Sequence, residues 1–199
     1  MSRREQMLFK NTEFVGYSDL NKKPGFQMGM HRTKDGRYYL YTACFRDNGF
    51  NIVDVTDPAN PVAKWVEGDW VGEVHDGQSL AKLQVADGKL ITCYGGTMRV
   101  LHGTHEQPYW GGFKIYDIEA DPLNPKLLGQ FECEDGPGVH RSFYNGGDYA
   151  YIMGSKHNFR GYILRIVDIS NPTNPTEVGS WWADGQYLGN KKASDMPEV

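Results

Sequence analysis

An all-β repeat array is what this sequence predicts, on three observations. One segment is written three times, as Ile52-Val53-Asp54-Val55-Thr56-Asp57-Pro58-Ala59-Asn60-Pro61, as Ile115-Tyr116-Asp117-Ile118-Glu119-Ala120-Asp121-Pro122-Leu123-Asn124-Pro125, and as Ile166-Val167-Asp168-Ile169-Ser170-Asn171-Pro172-Thr173-Asn174-Pro175. With 24 Gly, 10 Pro and 13% aromatic residues, the composition suits a turn-rich β protein. No window sustains the 3.6-residue apolar period that marks a confident helix.

Each copy supplies its elements in the same order. The β-branched run, such as Ile52-Val53-Asp54-Val55, fits a pleated and partly buried strand. The Asp/Asn-Pro-x-Asn-Pro piece that follows must turn, because proline donates no N–H and fixes φ, while Asp and Asn bond their own nearby backbone. A second strand comes next, at Val62 to Val66, Leu127 to Phe131 and Glu177 to Trp181. Upstream, Gly/Asp turns open a strand at Tyr38 to Tyr41, Leu90 to Cys93 and Tyr149 to Ile152. Before that turn each unit has a short run ending in a histidine: Gly29-Met30-His31, Glu73-Val74-His75 and Gly138-Val139-His140. Four short strands per unit make a β-propeller blade.

The histidines are 44 and then 65 residues apart, so the middle unit carries an insertion, placed at 96–111. The first spacing suits a four-stranded blade of roughly 40–50 residues. The chain therefore reads as a single propeller-repeat domain over 1–199, with units at about 26–70, 71–135 and 136–184. Residues 12–17, Thr-Glu-Phe-Val-Gly-Tyr, echo Thr176-Glu177-Val178-Gly179-Ser180-Trp181 and predict that 9–17 is the outer strand of a shared blade. A polar tail occupies 190–199.

The Ile-Val-Asp-Val/Ile-Thr/Ser-Asp/Asn-Pro-x-Asn-Pro signature resembles the LVIVD repeat, a family of propeller-type repeats. The resemblance runs from about Glu13 to Trp182; the middle copy departs by Tyr116 and by one extra residue before Pro122. It implies a fold and no particular activity, since propellers host many functions. About three blades fall short of the usual 4–8, and repeat arrays with bare ends expose unpaired edges. Another copy of the chain or a partner chain is thus expected to complete the ring.

A net charge of −4 with both signs interspersed leaves no basic footprint for nucleic acid. No apolar stretch approaches the ~18 residues of a membrane span. Arg3-Arg4 is not followed by a signal-peptide core, and Cys44, Cys93 and Cys133 form no C-x-x-C pair, which together suggest a cytoplasmic protein with reduced thiols. Cys93 reads as a small strand hydrophobe. The paired tyrosines (Tyr38, Tyr39, Tyr41, Tyr149, Tyr151) and Trp65, Trp181 and Trp182 read as packing between blades.

Two functional readings compete. In the first, His31, His75 and His140 converge on the central channel and bind a transition metal (Fe, Zn, Cu or Ni) or a small molecule. Three imidazoles leave an open coordination position for metal-dependent chemistry, with Arg32, Glu73 or Arg141 as candidate substrate-orienting catalytic groups. In the second, the protein is a non-catalytic interaction scaffold and each histidine is structural, bonding for instance Asp54, Asp117 or Asp168 in its own blade. The insertion adds an alternative metal cluster at His102, His105 and Glu106. It is otherwise a polar loop or an interface arm presenting Tyr109 and Trp110. His157 sits in the matching loop of the third unit.

Overall fold

The computed structural model describes residues 11–44, 49–67, 78–96, 110–133 and 136–189. Among these residues twelve strands form three four-stranded antiparallel sheets. The first holds β1 (Gly25–Arg32), β2 (Tyr38–Cys44), β3 (Gly49–Asp54) and β4 (Val62–Glu67). The second holds β5 (Gln78–Ala86), β6 (Lys89–Gly96), β7 (Gly112–Asp117) and β8 (Lys126–Glu132). The third holds β9 (Val139–Phe143), β10 (Tyr149–Gly154), β11 (Ile163–Asp168) and β12 (Thr176–Trp181). A single bridge pair, Cys44 with Leu80, stitches the first sheet to the second, and Gly95 with Gly138 does so for the second and third. Among the described residues, helix is confined to one 3-10 turn at Leu20–Lys22.

The repeated motif explains itself in hydrogen bonds. The carboxylate of the first Asp accepts from the backbone N–H two residues on: Asp54 from Thr56, Asp117 from Glu119, Asp168 from Ser170. The second acidic or amide residue repeats the device, Asp57 accepting from Ala59, Asp121 from Leu123 and Asn171 from Thr173. Asn60 and Asn124 then donate side-chain N–H to Asp57 and Asp121 at 2.8 Å, locking the turn. Those side-chain bonds, with the backbone N–H groups, hold the Asp57 and Asp121 carboxyls below their ordinary range. The motif is a strand stop built from Asx turns.

Strand pairing aligns the three sheets residue by residue. Tyr39, Lys89 and Tyr149 face Asp54, Asp117 and Asp168 across their ladders. Alternation then gives every sheet one face toward the sheet that follows and one toward the sheet that precedes. Tyr39, Tyr41, Phe50 and Ile52 on the first sheet's forward face pack with Leu83, Leu90, Tyr94 and Tyr116 on the second sheet's rear face. Ile91, Cys93, Phe113 and Ile115 pack in turn with Ala150, Ile152 and Val167 of the third. Tyr41 Oη crosses the first seam to donate to Pro122 O at 2.8 Å. Propeller blades are joined in this way, face to face, and among the described residues the ring is not closed within the chain.

The aromatic expectations divide accordingly. Tyr39 and Tyr41 are buried in a seam, but Tyr38, Tyr149, Tyr151, Trp181 and Trp182 are exposed. Trp110, expected as a contact residue of an exposed arm, is instead buried in the first seam, edge-on to Tyr94 at 5.5 Å. All three cysteines are buried and outside any disulfide. Burial pushes the Cys93 thiol up to about 12 and the Cys133 thiol up to about 11, as suits packing residues rather than nucleophiles. No helix among the described residues is long and apolar enough to cross a membrane.

Candidate functional site

His31 and His140 both lie on innermost strands, as the sequence suggests, but at opposite ends. His31 is near the end of β1, pairs with Tyr39 and therefore sits at the turn end of its sheet. His140 is near the start of β9, beside the pairs Arg141–Met153 and Val139–Gly154, at the loop end. Counted from the hairpin turn the two are not equivalent positions, which corrects the expectation that they face one another across a channel. His75 and Glu73 lie outside the described residues, as do His102, His105 and Glu106. Among the described residues no group of three His, Cys, Asp or Glu side chains is placed to hold a metal ion.

His31 is the more unusual of the two. It is buried, and its Nε2 has no hydrogen-bond partner. Glu119 Oε2, in the outer turn after β7, lies 3.7 Å away, beyond hydrogen-bond length. Burial lowers the imidazole pKa; Glu119 opposes that shift only in part, so the ring stays neutral at pH 7. Lys34 Nζ reaches the other Glu119 oxygen at 2.9 Å. A neutral imidazole beside a half-exposed carboxylate can bind a cation or share a proton through a water. Two protein groups, however, fall short of the three or four that ordinarily fix a zinc-like ion.

The other candidates are dispersed. Arg32 faces away from His31 and lies over the Tyr38 ring at 5.7 Å. His140 is exposed, with its ring 5.3 Å from that of Tyr162. Partial burial there, followed by the charges of Arg141 and Lys82, lowers its pKa. Arg141 pairs with Met153 on the forward face of the third sheet. His157 is exposed in the β10–β11 connection. The repeated Asp54, Asp117 and Asp168 spend their carboxylates on turns, so the His–Asp pairs of the structural reading do not form with His31 or His140.

Sequence reasoning missed Glu119. A signal for it exists: Glu119 stands where the other copies have Thr56 and Ser170, a carboxylate in place of a hydroxyl at a fixed motif position. It also missed the row of buried polar residues at one repeat position, Asn51, Lys114 and Arg165. Arg165 is satisfied by Glu177, at 2.6 and 2.7 Å, and by Ser155 O at 2.7 Å. Asn51 caps the Leu20–Lys22 turn by donating to Leu20 O at 2.9 Å and accepting from Asn21 at 2.9 Å.

The larger departures from ordinary surface lie at the two ends of the array. On the forward face of the third sheet Phe143, Tyr149, Tyr151, Met153, Val178 and Trp181 are exposed, Trp181 by 64%. On the rear face of the first sheet Met28 and Met30 are 61% and 51% exposed, and Tyr38 lies open beside them. Their repeat equivalents within the array are buried: Tyr41 and Ile91 for Tyr151, Leu83 for Met28.

Three face-packed, four-stranded antiparallel sheets with Asx-capped outer turns define a repeat protein of the propeller type. The LVIVD repeat pattern matches residues 38–66 and 146–182, the outer strands of the first and third sheets among them. Two segments of the chain thus carry the LVIVD repeat. The middle copy, outside both matched segments, has the same four strands and the same turn. No curated protein matches the chain.

Proposed function

We propose that this chain is an assembly module, a run of propeller-type repeats whose work is to bind protein through the sheet faces left open at its two ends. One observation carries the reading. Residues that the repeat buries elsewhere, Tyr149, Tyr151 and Met153 on one face and Met28 and Met30 on the other, are exposed together. Clustered apolar exposure of this kind marks interaction surfaces rather than ordinary surface. Three cysteines outside any disulfide suit a reducing, cytoplasmic setting.

The test is to charge each face singly. Tyr151→Arg and Met30→Arg are expected to lower hydrophobic-dye binding and any association measured by light scattering, leaving the unfolding midpoint close to that of the parent. Unchanged dye binding and unchanged association in both variants remove the reading.

A second reading, metal or small-molecule binding through His31, draws on the buried and unpartnered Nε2 beside Glu119. Elemental analysis decides it. A stoichiometric transition metal that is lost in His31→Ala supports this reading, and a metal-free parent protein, or metal retained in that variant, ends it.

A further inference from the structure

At the seam between the second and third sheets, Gly129 on β8 runs hard against the outer turn of the next sheet. A Cβ there would stand 2.2 Å from Pro172 O and 3.0 Å from Thr173 Cα. At the first seam the equivalent residue is Lys64, whose ammonium donates to Leu123 O at 2.7 Å and Asn124 Oδ1 at 2.6 Å of the corresponding turn. An outer-strand residue seated on the next sheet's turn is thus a fixed part of a seam.

The same seat is filled at the front of the array, where no preceding sheet exists among the described residues. A Cβ on Gly16 would lie 2.0 Å from Pro58 O and 3.1 Å from Ala59 Cα, the counterparts of Pro172 and Thr173. Residues 11–19 form no strand, and Phe14, Val15 and Tyr17 are more than half exposed. Thr12-Glu13 and Val15-Gly16 echo Thr176-Glu177-Val178-Gly179 of β12. Among the described residues Gly179 itself, at the position of Gly129 and Lys64, has only the Ile166 side chain within 4 Å of an added Cβ. The seat beside Pro58 is therefore held by a copy of β12's own sequence, and β12 has no seat.

Resting on the assembly reading above, we infer that a second copy of this chain docks head to tail, the forward face of its third sheet on the rear face of the first sheet. Thr176–Trp181 of that copy takes the seat beside Pro58, and residues 12–17 are an internal stand-in that must first leave it. Both halves of a seam bond are in place. Tyr151 stands at the position of Tyr41, whose hydroxyl donates to Pro122 O, and Pro58 stands at the position of Pro122. The described residues leave one forward and one rear face open, so two copies can close on each other. Three sheets from each give six, within the roughly 4–8 blades of known rings.

The sign of one substitution separates the stand-in from its main rival. Gly16→Val cannot keep the seat, because its Cβ meets backbone at Pro58. If 12–17 compete with a second copy, Gly16→Val tightens self-association by roughly tenfold or more in sedimentation velocity, since the competent form no longer has to be released first. The associated species has twice the 22.5 kDa chain mass. Adding Tyr151→Arg to that variant abolishes it. Mixing single Tyr151→Arg and Met30→Arg chains in the Gly16→Val background restores a two-chain species that neither gives alone, because one sound forward face meets one sound rear face.

Weaker association in Gly16→Val overturns the inference and identifies 12–17 as a permanent outer strand for a foreign three-stranded sheet. A single-chain mass throughout overturns it as well. If that result comes with dye binding that Tyr151→Arg and Met30→Arg still reduce, the assembly reading survives and only the second copy is wrong.

Discussion

Gly129 and Gly179 occupy the same repeat position, opposite Ile115 and Ile166, and the seam argument requires them to respond differently to the same substitution. Gly129→Ala puts a Cβ 2.2 Å from Pro172 O and 3.0 Å from Thr173 Cα. Neither obstacle is the end of a flexible side chain; both are backbone, held by the Asn171 turn. Relief requires the second and third sheets to separate locally, an overpacking cost of about 1–3 kcal/mol. Among the described residues Gly179→Ala meets only Ile166 side-chain atoms, at 3.5 and 3.9 Å, which is ordinary contact. Removing a flexible glycine from a strand should there be neutral or stabilise by about 0.5–1 kcal/mol. At about 2–4 °C per kcal/mol for a chain of this size, thermal unfolding followed by circular dichroism resolves the two. Gly129→Ala falls below the parent and Gly179→Ala does not. Equal losses in the two variants in dilute solution would refute the vacancy of the seat beside Gly179, and with it the seam built on Gly16. The measurement must be made dilute: where copies associate, Gly179 acquires the contact that Gly129 already has, and its alanine variant becomes costly too.

Two further outcomes follow from charge and burial. Burial pushes the Glu177 carboxyl up, but hydrogen bonds from Lys156 (2.5 Å) and Arg165 outweigh it and leave the pKa below the ordinary 4.5. The stability this adds is therefore present above about pH 4.5 and lost as pH falls through the folded-state value. Glu177→Gln should remove that part of the acid dependence and cost about 3–5 kcal/mol at neutral pH by leaving buried Arg165 unpaired; an unchanged urea midpoint at pH 7 would contradict it. Cys93 and Cys133, raised to about 12 and about 11, should resist a thiol reagent at pH 8 in the folded chain and react once it is unfolded in denaturant. Rapid labelling of both in the native state would show that the second seam opens.

The fold was legible because its determinants are local. Asp54, Asp57, Asn60 and Pro61 write a strand stop into eight consecutive residues, and both backbone Asx bonds of that stop recur in all three copies. The histidine site was not legible for a geometric reason. Register is counted from the hairpin turn, and His31 and His140 stand four and eight residues before Asp35 and Asp148. A repeat aligned on its histidines therefore sets unlike levels of the strand side by side. The buried Glu177–Arg165 pair was hidden differently, since its partners come from separate strands and nothing in either local sequence names the other.

Burial at the ends of the array is a property that no single repeat can encode. Tyr39 and Tyr149 occupy one position, carry one side chain and face the same way along the array, yet Tyr39 is buried and Tyr149 is 46% exposed. The difference lies entirely in what stands next. Capping repeats carry polar residues on their outer faces. This chain instead keeps seam residues on both outer faces: tyrosines and Trp181 on one, methionines on the other, with the first sheet's turn already holding a β12-like segment. Retained apolar character at both ends is costly in a free chain because it invites uncontrolled association. It is physically coherent where those faces spend their time covered, and a head-to-tail contact between copies is the arrangement in which each face meets the surface its repeat position is built for.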